Sequence, residues 1–393
     1  MVTLDQIKQG AARYVDEEFT GKLTGWQKWA VGAGAAMALG NLDDTSLSHP
    51  AIEAIFTVDE ETGMYGAEGL DVSVLKGRRM LNMDSEDEGV FTVSCAGGAR
   101  ADCCLPIRRQ QFGAPVQEIA ITGLVGGHSG AEIDKGRANS SMLLGRVLCA
   151  LEQKTPLRVI SVSGGLKDNA IPTASVALVA ADAGAVQAVC AEMDAAFKKE
   201  YRVNDPAITV SARPAESSLL PMDEASSRSA VCLLACLPNG IQAMSADMPG
   251  LVQTSLNLGI LTTGDDAVHA SFSVRSSVAT QKQMLIDRLR CLTESLGGSV
   301  STHGEYPGWE FMPQSPLRDL MVQVFTDQYG YAPKVEAIHA GLECGLFSAK
   351  LPGLDCVSFG PDLKEIHTFR ESLSVSSVQR VYAMVVETLK RMH

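Results

Sequence analysis

From Val116 onward the expected elements run in an order that nearly repeats itself, and that doubling limits the folds open to the chain. The first pass reads strand Val116–Leu124, helix Ala138–Leu151, strands Arg158–Ser163 and Ala174–Val179, and helix Ala183–Lys199. The second reads helix Glu224–Leu237, strands Leu251–Leu261 and Ala267–Val274, helix Gln281–Leu296 and strand Ser299–His303. Antiparallel strand pairs covered by helices predict an α+β insert of two similar halves. On either side the pattern is α/β. Strands are expected at Ile52–Val58, Met80–Met83 and Val90–Ser94 before a break at Gly97-Gly98. After Tyr306-Pro-Gly-Trp309 come helix Leu317–Gln328, strands Val335–Ile338 and Asp355–Phe359, and helix Ser376–Arg391. One domain is thus interrupted by another, with divisions at 1–97, 98–310 and 311–393.

Length and charge narrow the function. A chain of 393 residues accommodates two cores. Its formal net charge of -13 argues against nucleic acid as a partner, because a phosphate backbone would be repelled. The apolar run Trp29–Gly40 is far shorter than the roughly 20 residues a spanning helix needs, so no membrane partner is expected. The ten cysteines include no Cys-x-x-Cys pair and follow no visible signal peptide, which points to reduced thiols and a cytoplasmic protein.

Polar groups collect at strand ends and glycine turns, where loops place function. Glu60-Glu61 follows the first expected strand, and Asp84 lies in Asn82-Met-Asp-Ser-Glu86. His128 sits in Gly126-Gly-His-Ser-Gly130, His339 follows Ile338, and His367 lies in a loop before the last helix. Each alone reads as readily as a solvated turn. Glu61, Asp84 and His367 together form an oxygen, oxygen and nitrogen set suited to zinc. Two adjacent carboxylates can also divide labour, one holding a metal and the other moving protons.

In this order the motifs resemble those of the M20 metallopeptidases, and within them the bacterial aminoacyl-histidine dipeptidases. The match runs from about Gly32 to the C-terminus. It rests on Glu60-Glu-Thr-Gly-Met64, Asn82-Met-Asp-Ser-Glu86, Cys95-Ala-Gly-Gly98 and Gly126-Gly-His-Ser-Gly130. Asn169-Ala-Ile-Pro172, Thr254-Ser-Leu-Asn257, Tyr306-Pro-Gly-Trp309 and Ile338–Phe347 complete it. The resemblance implies an α/β zinc-peptidase (phosphorylase/hydrolase-like) catalytic domain, incomplete at its N-terminus, with an inserted α+β lid of two similar halves. It implies Glu60 as general base, Glu61 and His367 on one zinc, and Asp84 on the other. His128 would stabilise the oxyanion, while Asn169, Arg275 and His339 would contact substrate. The implied reaction is hydrolysis of Xaa-His and other dipeptides, and the lid is expected to serve a homodimer.

The chain departs from the family toward its N-terminus. The family's His-x-Asp motif is missing, and the place of its bridging aspartate falls at Ala30. Residues 1–28 show no match to the family, as an N-terminally truncated or frame-altered chain would. Three ligands of five remain, so one zinc or none is expected to be retained and activity to be impaired. A non-catalytic peptide-binding or oligomerisation protein derived from a dipeptidase is the alternative. Asp5, Asp43, Asp44 and His49 have no spacing that recommends them as substitute ligands.

Overall fold

The computed structural model describes residues 48–366 and 369–392. One-turn helices α1 (Glu60–Gly63) and α2 (Tyr65–Gly69) precede strands β1 (Arg79–Asn82), β2 (Val90–Cys95) and β3 (Gly97–Pro106). Next come β4 (Val116–Thr122), the short β5 (Gly127–His128), α3 (Ser140–Glu152), β6 (Arg158–Gly164) and the short β7 (Ala170–Ile171). They are followed by β8 (Ser175–Ala180), α4 (Ala183–Glu200), β9 (Thr209–Pro214), α5 (Glu224–Cys236), β10 (Gly240–Met244) and β11 (Val252–Thr263). β12 (Ala267–Ser276), α6 (Ala279–Ser295), β13 (Ser299–Tyr306), α7 (Pro316–Tyr329) and β14 (Lys334–Ile338) lead to α8 (Glu343–Lys350). The chain closes with β15 (Asp355–Ser358), β16 (Leu363–Lys364), β17 (Ser372–Leu373) and α9 (Val375–Arg391). Among the described residues no helix is long and apolar enough to cross a membrane.

Two compact units result. Of the described residues, the first holds those up to Cys95, Trp309–Ile338 and those from Leu342 on; the second holds Ala96–Gly308 and His339–Gly341. The first unit is built on a four-stranded sheet in the order β1-β15-β2-β14. Its core joins Phe91 and Val357 of the sheet to Met321 and Phe325 of α7 and to Val381 and Val385 of α9. Phe91 meets Phe325 and Phe359 edge-on, with ring centroids at 5.7 and 6.3 Å. The helices begin where capping chemistry places them. Ser315 accepts a hydrogen bond from the Arg318 amide with Pro316 in the first turn, and Ser374 accepts from Ser377.

The second unit is one nine-stranded sheet, ordered β13-β3-β12-β11-β6-β8-β4-β9, with β10 beside β11. From its two edges inward it reads β9-β4-β8-β6 and β13-β3-β12-β11, and the halves join where Leu261 pairs with Gly164. The second half is discontinuous: its first strand, β3, precedes the entire first half in the chain. The break expected at Gly97-Gly98 is in fact the start of this ten-residue strand. Glycine is needed there for closeness rather than for a turn. A Cβ on Gly97 would lie 2.3 Å from the Gly308 nitrogen, and one on Gly98 2.5 Å from the Tyr306 ring.

The strand expected at Ile52–Val58 does not form. Residues 51–57 take no regular structure, and Phe56 and Val58 are exposed. β-branched and aromatic residues make a strand only where a neighbouring strand takes their hydrogen bonds and a core takes their side chains, and no described strand pairs with this run.

Candidate active site

Within the first unit, Glu60 opens α1, a one-turn helix rather than a strand end. The turn is bracketed by strained backbone, with Asp59 at φ 58° and Met64 at φ 59°. Among the described residues one other non-glycine residue has positive φ, Glu365 at 51°, two positions before His367. Left-handed non-glycine backbone costs about 1–3 kcal/mol each and clusters at functional sites. All three outliers therefore flank residues singled out from sequence. The loop that carries His367 is closed at its base by pairing of β16 with β17.

Asp84 is exposed two residues beyond β1. Near it lie buried thiols: Cys344 sits 3.5 Å from Cys356, Sγ to Sγ, and its pKa is raised by burial and then by Cys356 and Asp84. Burial pushes the Cys95 thiol up to about 12. These are inert, protonated thiols rather than nucleophiles.

The motif Ile338–Phe347 contains a residue to which sequence gave no role. Glu343, 9% exposed, accepts from Thr57 Oγ1 at 2.8 Å on one oxygen, while its other oxygen has no partner among the described residues. Burial raises its pKa. A buried, half-satisfied carboxyl bonded to Thr57, two residues ahead of the Asp59–Met64 turn, marks the first unit's polar focus.

His367, the Glu61 side chain, Ala30 and Asp5, Asp43 and Asp44 lie outside the described residues. Among the described residues no three His, Cys, Asp or Glu side chains could together hold a metal ion. Of the expected ligand set only Asp84 is described, and one carboxylate does not make a zinc site. His49, which is described, turns its ring nitrogen onto the Pro50 carbonyl at 2.7 Å.

The second unit brings four of the predicted residues together. β5 pairs with β7 so that His128 stands opposite Ala170, and the Ser129 amide donates to the Asn169 carbonyl at 2.9 Å. β11 pairs with β12 so that Ser255 faces Arg275, and Ser255 Oγ lies 2.7 Å from His339 Nε2. Gly130 is the point of convergence. A Cβ there would meet the His339 carbonyl at 2.7 Å, and Arg275 Nε and His128 Cε1 at 3.1 Å each.

The donors in this cluster are set by their partners. The amides of Gly130 and Ala131 donate to His128 Nδ1 at 3.2 and 3.0 Å, so the neutral ring carries its proton on Nε2. Burial and then the Arg275 charge lower the His128 pKa, with Glu132 opposing. The same two causes bring His339 down to about 4. Both rings are therefore neutral at pH 7. Arg275 is buried and donates to Tyr306 OH at 3.2 Å, yet its Nε has no partner among the described residues. Among the described residues the Asn169 side-chain amide has none either. A fixed guanidinium beside a neutral imidazole donor is equipped to take an anion. Ser255 and Tyr306 were legible as parts of motifs, but sequence offered no sign of what they hold.

The family model of peptidase family M20/M25/M40 matches residues 20–391, starting ahead of Gly32, and the chain belongs to that family. Among individual proteins, the cytosol non-specific dipeptidase of Escherichia coli K12 is 32% identical over 364 residues, covering 91% of this chain and 75% of that protein. The crystal structure of aminoacylhistidine dipeptidase from Vibrio alginolyticus matches with a TM-score of 0.87 and 33% identity, covering 91% of this chain and 74% of that one.

Proposed function

We propose that the chain is a dipeptidase that acts on dipeptides with a free C-terminal carboxylate, Xaa-His among them. The observation that supports this reading is the convergence of Arg275, His128 and His339 on Gly130 in the second unit. Arg275, with one N–H unspent, grips the carboxylate, and Asn169 presents its amide to the same end of the peptide. His128 offers an Nε2 proton to a carbonyl oxygen as charge develops on it, a contribution of about 3 kcal/mol for comparable donors. His339 is a further contact, held from behind by Ser255. Glu60 takes the proton from the attacking water and returns one to the leaving amine. Likeness to two dipeptidases supports the substrate class.

Zinc is the expected metal, with Glu61, Asp84 and His367 as its ligands and one ion or none retained. The described residues do not complete such a site. A cytoplasmic setting, neither nucleic acid nor membrane as partner, and a homodimer formed through the nine-stranded unit complete the reading.

The test is metal analysis of the full chain together with hydrolysis of alanyl-histidine. At most one zinc per chain, and turnover that Glu60→Gln lowers by about 10²–10⁴-fold, are the expected results. Dipeptide binding with no turnover under any metal loading would overturn the enzyme reading in favour of a peptide-binding protein.

A further inference from the structure

The motif Thr254-Ser-Leu-Asn257 contains a second buried side chain beyond Ser255. Asn257 is 1% exposed, too deep to meet a ligand itself. Ser255 and Asn257, two apart on β11, point to the same side of the strand. Ser255 reaches His339. Asn257 reaches the turn before β7, where its Nδ2 donates to the carbonyls of Asp168 at 3.3 Å and Ala170 at 2.9 Å. Those two carbonyls flank Asn169.

The orientation of this amide follows from its neighbours. Asn139 caps α3, and its Oδ1 accepts from the amides of Ser141 at 3.0 Å and Met142 at 3.3 Å. Its Nδ2 must therefore donate elsewhere, and it does so to Asn257 Oδ1 at 3.1 Å and the Leu258 carbonyl at 2.9 Å. With Oδ1 thus engaged, Asn257 has its Nδ2 left for the turn. The turn also packs directly on β11. The ladder slips between Leu258 and Ile260, and a Cβ on Gly259 would lie 2.4 Å from the Asp168 carbonyl oxygen. With the Asn169 carbonyl held by the Ser129 amide, three consecutive carbonyls are fixed from the interior.

We propose that Asn257 is a positioning residue that aims the Asn169 amide at substrate. A chain of bonds from the α3 N-cap through Asn139 and Asn257 sets the backbone on either side of Asn169. This inference rests on Asn169 being a substrate contact, so its test must separate the two claims.

Asn257→Asp is nearly isosteric and replaces the two turn donors by a carboxylate facing two carbonyls. Binding of alanyl-histidine to the full chain, measured by calorimetry, is expected to weaken by roughly 10- to 100-fold. Asn169→Ala should weaken it as well, and the double variant should bind no worse than Asn169→Ala alone. Additive losses in the double variant would show that Asn257 does not act through Asn169 and would overturn the proposal. Hydrogen exchange of the 165–172 segment, read by mass spectrometry, is independent of any ligand. At least about tenfold faster exchange there in Asn257→Asp is expected, with α4 and α6 unchanged. Native protection of that segment would overturn the proposal. Faster exchange with full affinity in Asn169→Ala would instead sink the substrate role of Asn169 alone. Should Asn257→Asp not fold, the neutral Asn257→Ser carries the same measurements.

Discussion

The two units place polar residues by different means. In the second, Arg275 and His128 are fixed by sheet register: a strand pair puts Ser255 opposite Arg275, and another puts His128 opposite Ala170, while Ser255 holds His339 and the Ser129 amide holds the Asn169 carbonyl. Shifting either ladder by one residue would turn these side chains to the opposite face. In the first, Glu60 and the His367 loop are approached through left-handed backbone at Asp59, Met64 and Glu365, outside any strand. Register holds a site cheaply, because every hydrogen bond of the sheet enforces it. Strained turns hold one only while the surrounding packing persists. Ligand gripping should accordingly be the sturdier property of this chain and proton transfer the more easily lost.

Arg275→Met breaks that comparison at its strongest point. The substitution keeps the length and removes the charge aimed at a carboxylate. Alanyl-histidine affinity measured by calorimetry should fall by on the order of 10³-fold, about 4 kcal/mol, with the melting temperature little changed. A loss below threefold would mean that the spare Arg275 Nε does not face a ligand carboxylate.

How much of this was legible in the sequence depended on whether the signal was local. Helix α9 shows its apolar face at Val378, Val381 and Val385, and Ser374 marks its start, so sequence found it within about two residues. β3 was missed because Gly97 and Gly98 look like a break, and only Tyr306 and Gly308, some 200 positions away, explain them. The Ile52–Val58 run failed for the opposite reason, since its propensity is local but no described strand pairs with it. The family resemblance named His128, Asn169, Arg275 and His339, yet the meeting of His128, Arg275 and His339 around Gly130 depends on a tertiary arrangement that no spacing reveals. Asn257 and Glu343 were visible as letters in motifs without visible roles, because burial and an unpaired oxygen are properties of the folded chain.

Acid should test the second unit's cluster next. Burial beside Arg275 depresses the His339 pKa to about 4, so the ring stays neutral in the folded chain while the unfolded chain takes up a proton near its ordinary value. That stabilisation is complete above about pH 6.5 and is lost as pH falls through the folded value. Chemical denaturation between pH 7 and 4 should lose up to about 3 kcal/mol, and His339→Gln should flatten the slope. An unchanged slope in the variant would place the acid sensitivity elsewhere.

Glu343 gives the matching test in the first unit, with the opposite sign and a smaller size. Its carboxyl is raised by burial, so the folded state keeps a proton that the unfolded state releases. The stabilisation is present below the ordinary carboxyl range and is lost as pH rises through the folded value. Above that point the ionised group sits with one oxygen bonded to Thr57 and the other without a donor, a cost on the order of 1 kcal/mol. Glu343→Gln can keep the Thr57 hydrogen bond and cannot titrate. Its melting temperature should vary less between pH 4 and 8 than that of the parent chain. If both proteins trace the same curve, the unpartnered oxygen is not a source of strain, and the first unit holds its polar focus as securely as the second.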